Sequence, residues 1–347
     1  MAGGEQLLAP ETLGESPGPV TSGARSPRTA TLLWILRRAL LSLLVLFGVS
    51  ILIFVATQAL PGDPAVQILG QTATPEQLDE LREQLGLDQS LIDQYLTWLG
   101  NVLTGSLGQS LTSPQSVGTL LVDRGLASLA LVLASALIAI PVAVIVGSVA
   151  AVRRDRTLDH ATQGIFLVLT ALPEFVIGLG LLILLGTTVS TVLPPVALIP
   201  SGGAAFTHPK ELALPVITLV LAVLPYLTRL QRAAMIDVLE SDYIQMARLK
   251  GLPERTVVRR HALRNSLVPV VQGSALTLIY LTGGIVAIEY LFAYPGLGSA
   301  LTTAVAGRDL PVVQAIVLLL ASVYVVVNLV ADLLTVLLVP RLRTRRA

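Results

Sequence analysis

Six long apolar runs divide the chain and determine the class of fold that it can adopt. They cover approximately residues 36–60, 126–152, 161–187, 212–230, 267–289 and 311–339. Each run approaches or exceeds the ~20 residues that a helix needs to cross a ~30 Å hydrocarbon layer. Charged residues make up only 13% of the chain, whereas globular domains contain about 25%. We therefore predict an all-α membrane protein with six transmembrane helices.

The distribution of arginine and lysine predicts the orientation of these helices. If the N-terminus is cytoplasmic, 19 of the 23 basic residues fall in inside segments, and the outside keeps Arg82, Arg124, Lys210 and Arg308. The positive-inside rule then places both termini in the cytoplasm. Residues 1–30 are rich in Gly, Pro, Ser and Thr, which predicts a disordered cytoplasmic tail before a membrane domain over 31–347. The first apolar run is longer than the core of a signal peptide, which favours a retained span.

The interval from Glu240 to Pro269 is strongly basic and lies between two apolar runs. Asp242 and Gln245 have the spacing of a capping box, and Gly251 can end the helix in the left-handed conformation. Pro253 suits the first position of a second helix. A capped helix between two membrane spans has a form that fits a socket on another protein. The alternative is an ordinary cytoplasmic loop.

The largest predicted outer segment, 61–125, contains two amphipathic helix patterns. Thr74 and Gln77 form a capping-box start for the first, and Gly86 ends it. Ser90 with Asp93 can start the second, which would place Trp98 at headgroup depth if the helix lies on the membrane. These helices can rest on the outer leaflet and can also form a landing surface for a soluble partner.

Several chemistries find no support in the sequence. The absence of cysteine excludes disulfides and thiolate sites. Neither Lys210 nor Lys250 lies in a GxxxxGK[ST] motif, so the chain has no P-loop with which to hydrolyse ATP. The three histidines lack metal-ligand spacing. The net charge is only +1, and the basic residues are distributed according to topology and do not form one patch that would bind nucleic acid. We expect no catalytic, cofactor or metal site in this chain.

Four separated motifs resemble the dipeptide/oligopeptide/nickel family of ABC importer permeases. The basic interval carries Ala247–Gly251, the run His261-Ala-Leu-Arg-Asn265 and Pro269. The predicted outer segments carry Pro61-Gly-Asp-Pro64, Leu85-Gly-Leu-Asp88 before Gln94-Tyr-Leu, and Pro295-Gly-Leu-Gly298 after Glu289. The similarity covers about residues 34–340. Gln245 and Met246 depart from the acidic residue and alanine of the general importer pattern, and this departure points to the peptide/nickel branch.

The resemblance implies a type I ABC importer permease fold and several partners. A coupling helix in the loop 231–266 would sit in a groove of an ATP-hydrolysing subunit, with its contacts at Tyr243, Ala247, Lys250, Gly251 and Leu252. Two such ATPase subunits would bind ATP and Mg²⁺. A second homologous permease would complete a heterodimer in the cell membrane. An extracytoplasmic peptide-binding protein would dock outside, where we expect contacts at Asp79, Glu80 and Glu83.

Two glutamates are candidates for the translocation path or its gate. Glu174 falls near the middle of the third run, where an acid facing lipid would cost ~2.5–3.5 kcal/mol. It is therefore either a hydrogen-bonding partner between helices or a carboxylate that meets the ammonium group of a substrate. Related permeases usually carry a small residue after the proline that corresponds to Pro173, so the resemblance gives no direct support for a substrate role of Glu174. Glu289 matches a family glutamate that would secure the outer turn or the gate.

The most direct functional prediction is import of di- or oligopeptides by alternating access. Nickel or glutathione import is an alternative, because the branch shares these motifs. A self-contained secondary transporter would show several intramembrane charges and two related halves. A structural membrane scaffold would leave the capped cytoplasmic helix unexplained.

Overall fold

The computed structural model describes residues 27–59, 63–70, 73–84, 86–199 and 205–338. The predicted tail up to residue 26, Pro61 and Gly62 of the first outer motif, Leu85, and residues 339–347 lie outside this range. The described part contains these helices: α1 (Pro27–Gln58), α2 (Pro64–Leu69), α3 (Pro75–Gln84), α4 (Leu91–Leu103), α5 (Val117–Val152), α6 (Thr157–Ala171), α7 (Glu174–Leu181), α8 (Pro209–Leu239), α9 (Asp242–Leu249), α10 (Glu254–Thr256), α11 (Leu263–Leu291), α12 (Leu297–Ala306) and α13 (Leu310–Leu338). Two π-helical segments, Leu182–Gly186 and Val257–Ala262, follow α7 and α10.

Five of the described helices are long and apolar enough to span a membrane, and a sixth span forms if α6 and α7 are taken together. The third apolar run is therefore not the continuous helix that its length predicts. It bends by 106° between Ala171 and Glu174. Leu172 is extended, with φ −96° and ψ 132°, because the ring of Pro173 disfavours the helical conformation of the residue before it.

Two spanning helices extend beyond their apolar runs. α5 begins at Val117, nine residues before the predicted start, because the Ser116 hydroxyl accepts the Thr119 N–H and caps it. α8 continues to Leu239 and keeps Pro215 and Pro225 inside a continuous helix. Its most apolar window is 67% buried, so packing against neighbouring helices supports it where the prolines remove backbone hydrogen bonds.

Close contacts of small residues hold α5, α8 and α11 together. A Cβ on Gly147 of α5 would lie 2.7 Å from the Thr228 carbonyl oxygen, and one on Gly273 of α11 would collide with Leu230. Small residues allow membrane helices to approach this closely. Gln231 is fully buried at the same junction, and its amide donates to the hydroxyls of Ser148 and Ser266. The three helices thus share one polar link.

The short helices α3 and α4 lie at the end of the bundle opposite α9. The predicted capping box is present at α3, where Thr74 and Gln77 exchange backbone-to-side-chain hydrogen bonds of 3.0 and 3.4 Å. The predicted Ser90 cap is present at α4. α4 packs on α1 through Tyr95, whose ring centroid lies 5.4 Å from that of Phe54. This contact fixes α4 to the first spanning helix.

Candidate functional site

The short helix α9 begins one residue earlier than its capping motif predicts. Ser241, not Asp242, occupies the N-cap position, and Asp242 is the first helical residue. The Ser241 backbone carbonyl accepts the N–H of Gln245, while its hydroxyl donates to the Val238 carbonyl. The predicted Asp242–Gln245 capping box is therefore wrong. A carboxylate in the first turn still interacts favourably with the helix dipole.

Gly251 ends α9 as predicted. Its φ is +77°, a conformation that L-residues other than Asn and Asp rarely adopt. The Gly251 N–H donates to the Arg248 carbonyl, and the Leu252 N–H donates to the Ala247 carbonyl. These two bonds form a Schellman motif, which satisfies carbonyls that a helix end otherwise leaves without donors.

One face of α9 packs against the bundle. Ile244 is fully buried and Ala247 is 9% exposed, in a cluster with Met235 of α8 and with Val257 and Ala262 of the π-helical segment. Ala247, implied by the resemblance as a contact of the ATPase, thus faces the body of this chain. Its small side chain lets α9 lie close to the spanning helices.

The other face of α9 is apolar and exposed. Leu249 is 82% exposed and Met246 58%, and Tyr243, Lys250 and Leu252 lie in the same exposed segment. Met246 and Leu249 were not among the predicted contact residues, although Tyr243, Met246 and Leu249 follow one another at intervals of three and therefore share one helix face. An exposed apolar patch of this kind marks an interaction surface.

Polar links hold α9 and the segments on either side of it. Arg248 pairs with Glu254 at 2.8 Å, and Arg154 pairs with Glu240 at 2.6 Å. The Asn265 amide donates to the Tyr243 hydroxyl at 2.8 Å, which gives the His261–Asn265 motif a structural role.

The sequence predicts Pro253 at the first position of a second helix. In the structure Pro253 instead precedes α10 and occupies its N-cap position. α10 then continues through the π-helical segment into α11. The chain after α9 is therefore part of the fifth spanning segment rather than a separate helix.

A further ion pair at the α9 end, between α8 and α6, was not predicted from the sequence. Arg232 of α8 donates from Nε and Nη2 to the two carboxylate oxygens of Asp159 at 2.7 and 2.6 Å. Asp159 is only 1% exposed. Two-point pairing of this geometry is strong and directional, so it fixes the start of α6 against α8.

A cavity of about 450 Å³ lies between the broken span, α8 and α11. Glu174, the first residue of α7, lines it and accepts a hydrogen bond from the Tyr280 hydroxyl at 2.9 Å. Tyr226 and Arg229 line the α8 wall. Arg229 donates from Nη2 to the Thr170 hydroxyl and from Nε to the Pro225 carbonyl, each at 3.2 Å. The cavity therefore presents groups of both charges on a largely apolar wall.

Glu289 lies at the opposite end and is fully buried. Its carboxylate accepts the Ser128 hydroxyl and the Gly298 N–H, both at 2.6 Å, and the Ser299 N–H at 3.4 Å. These N–H groups belong to the first turn of α12, where the helix dipole favours negative charge. The geometry matches the interpretation in which Glu289 secures the Pro295–Gly298 turn.

The three acidic residues proposed for partner docking lie on α3. Asp79, Glu80 and Glu83 are exposed, but Asp79 also pairs with Arg82 at 2.7 Å. Arg82 reaches Asp63 at 2.6 Å as well, which ties α3 to the start of α2. Partial burial acts to raise the pKa of Asp63, but the hydrogen bonds from Arg82 and the Ala65 N–H outweigh it and lower the pKa. Glu80 and Glu83 are the better probes of docking, because neither forms an ion pair with another residue that the structure describes.

Two family models match the chain. The model described as "Binding-protein-dependent transport system inner membrane component" matches residues 139–344, and its N-terminal counterpart matches residues 31–131. A Brucella abortus (strain 2308) protein named "Putative peptide transport system permease protein" is 37% identical over 309 residues, which are 89% of this chain and 98% of the relative. The Escherichia coli (strain K12) protein named "Glutathione transport system permease protein GsiC" is 36% identical over 310 residues, with the same shares covered.

These matches cover both the spanning helices and the α9 segment. They confirm the resemblance drawn from the sequence motifs and the all-helical membrane fold. The chain is a multi-pass inner-membrane protein, and it belongs to the family of inner-membrane components of binding-protein-dependent transport systems.

Proposed function

We propose that this chain is a permease subunit of an ATP-driven importer that carries di- or oligopeptides across the cell membrane. The observation that carries the proposal is the similarity over 89% of the chain to permeases named for peptide and glutathione transport. Glutathione import is the alternative that a specific relative favours, and glutathione is itself a small peptide. The substrate class is therefore peptide-like in both cases.

The proposed complex contains a second homologous permease, two ATPase subunits and an extracytoplasmic binding protein. ATP and Mg²⁺ bind to the ATPase subunits. The arginine distribution supports cytoplasmic termini, and this orientation directs α9 towards the ATPases. The exposed apolar face at Tyr243, Met246 and Leu249 then enters a groove on one ATPase subunit.

The position of α9 suggests how ATP hydrolysis moves the cavity. α8 leads into α9 through Glu240 and Ser241, and α10 leads out of it into α11. The buried cluster around Ile244 and Ala247 joins the same elements laterally. A displacement of α9 is therefore transmitted to α8 and α11, which together form two of the cavity walls. Alternating access follows if this displacement opens the cavity to one side of the membrane at a time.

Transport by the complete importer tests the proposed function. The four subunits reconstituted in liposomes with the loaded binding protein should take up a dipeptide, a tetrapeptide or glutathione when ATP is inside. The same vesicles without ATP provide the background. If ATP-dependent uptake is absent for all three substrates although each binds to the binding protein, the peptide-importer proposal is wrong.

Charge reversal on α3 should slow docking of the binding protein. We expect Glu80→Lys with Glu83→Lys to lower the association rate several-fold at low salt, because peripheral charges act mainly on encounter. The effect should shrink at high salt, where charges are screened. Stopped-flow binding to the complex in nanodiscs measures the rate.

The matched control for this experiment is Asp237→Lys, which reverses an exposed charge near the α9 end. It should leave the docking rate unchanged. Equal association rates for the α3 double variant and the wild type at low salt would reject α3 as a docking surface.

A further inference from the structure

The polar groups of the membrane cavity are exposed on the surface of this chain rather than sealed between its helices. Tyr226 is 44% exposed and Tyr280 51%, and Glu174 is partly exposed. All of them lie in segments of spanning length and hydropathy. A carboxylate facing lipid at this depth is costly. The cavity therefore faces a water-containing space, which in a paired permease is the passage between subunits.

The two charges in the cavity are each held by a neutral partner. The Tyr280 hydroxyl donates to Glu174, and Arg229 donates to the Thr170 hydroxyl and the Pro225 carbonyl. Among the described residues, neither Glu174 nor Arg229 forms an ion pair. Each charge therefore keeps the capacity for a charge-assisted hydrogen bond to a ligand group of opposite charge. A ligand that carries both charges would compensate both residues.

The two charges stand on different walls of the cavity. Glu174 begins α7 and lies against α11, where a Cβ on Gly284 would be 2.9 Å from its carboxylate oxygen. Arg229 lies on α8 against Thr170. The two side chains do not pair with each other, so each can meet a different end of one ligand.

The size and lining of the cavity are also those of a ligand site. Its volume of about 450 Å³ lies within the ~300–1,000 Å³ of small-molecule pockets. Leu169, Leu172, Val223 and Leu276 supply apolar wall on either side of the charged groups. Such a wall accepts side chains of varied sequence, whereas the two charged groups recognise features that all unmodified peptides share.

We propose that this cavity binds short zwitterionic peptides during transport, with Glu174 receiving the α-ammonium group and Arg229 receiving the α-carboxylate. The Tyr280 hydroxyl positions Glu174, and Thr170 positions Arg229. This inference rests on the proposed function as a peptide importer. It adds that the permease itself selects for both free termini, independently of the binding protein.

Uptake of four forms of one dipeptide tests the assignment. The forms are the free peptide, the N-acetylated peptide, the C-amidated peptide and the doubly blocked peptide. For each form, uptake by a variant importer is divided by uptake by the wild type, so that the preference of the common binding protein cancels. Glu174→Gln should reduce the ratio at least fivefold for forms with a free amino group and little for N-acetylated forms. Arg229→Gln should do the same for forms with a free carboxylate.

Matched variants separate recognition from folding. Glu211→Gln removes a carboxylate on α8 that does not line the cavity, and it should leave all four ratios near one. Arg229→Lys keeps the charge and should retain most uptake of free-carboxylate forms. Arg229 also links α8 to α6, so uptake is normalised to the amount of assembled complex. If Arg229→Gln assembles poorly, the comparison of Arg229→Lys with the wild type tests the role of the charge.

The possible results distinguish the inference from the proposed function. If wild-type importer transports no form of the peptide, the proposed function fails. If it transports them but Glu174→Gln and Arg229→Gln lower all forms equally, the two-charge assignment is wrong and both residues are structural. A loss for Arg229→Lys equal to that for Arg229→Gln, across all forms, also overturns the role of the Arg229 charge.

Discussion

Gly298→Ala is expected to prevent most of the permease from reaching its folded, assembled state. A Cβ at this position would collide with the backbone Cα of Val286 and would lie 3.0 Å from the Glu289 carboxylate. A backbone atom cannot rotate away, so α12 must shift from α11. Overpacking of this kind costs typically ~1–3 kcal/mol and occasionally more, and the shift would also disturb the hydrogen bonds to the buried Glu289. We expect a strong fall in detergent-stable complex and in its melting temperature.

The control for Gly298 is Gly283→Ala on α11, where an added Cβ meets no atom within 4 Å among the described residues. It should leave the yield and the melting temperature close to wild type. Size-exclusion chromatography of the solubilised complex and thermal unfolding measure both. A normal yield and melting temperature for Gly298→Ala would show that the packing of the Pro295–Gly298 turn is not needed for the fold.

The positions of the spanning helices could be predicted because lipid imposes a simple requirement on the sequence. Every backbone group must bond within its own helix, so long apolar runs become helices. Helix ends with strong local signals were also predictable. Gly251 and Gly86 both have positive φ at helix ends, and the Thr74 and Ser90 caps form as expected. Asp242 was the exception, because Ser241 beside it is an equally good cap residue.

The break in the third span shows where local reasoning fails. Pro141, Pro215, Pro225 and Pro269 all lie inside continuous helices, whereas Pro173 separates α6 from α7. The local chemistry of proline is the same at all five positions. The outcome depends on whether neighbouring helices hold the chain straight. The sequence around each proline does not show which helices pack against it.

The cavity was predicted only in part for the same reason. Glu174 could be singled out, since an acid in an apolar run is costly, but its partner Tyr280 is 106 residues away. Arg229 was counted among the basic residues of the inside segments, because the apolar run ends near residue 230. α8 in fact continues to Leu239, and its packing against α6 brings Arg229 to Thr170. No periodicity in either segment indicates this contact.

The end of α9 provides the sharpest test of the proposed coupling to ATP hydrolysis. Gly251 has φ +77°, and an added Cβ would meet no described atom within 4 Å. A substitution there acts through the backbone conformation and not through a clash. The left-handed conformation costs an L-residue roughly 1–2 kcal/mol, and a β-branched residue is a marked outlier there. Asn tolerates this conformation better than other non-glycine residues.

We expect Gly251→Val to insert and fold but to lose most peptide-stimulated ATP hydrolysis and uptake, at least tenfold, while Gly251→Asn retains most of both. In the Val variant the chain leaves the left-handed conformation, the Schellman bonds from Gly251 and Leu252 are lost, and the exposed face with Met246 and Leu249 no longer has a fixed position. ATPase activity and uptake are measured on complexes normalised to permease content, and the affinity of the ATPase subunits for the permease is measured in parallel.

Unchanged hydrolysis and uptake by Gly251→Val in an intact complex would show that the shape of the α9 end does not couple ATP hydrolysis to transport. Equal losses for Val and Asn would instead trace the effect to the side chain and not to the left-handed backbone.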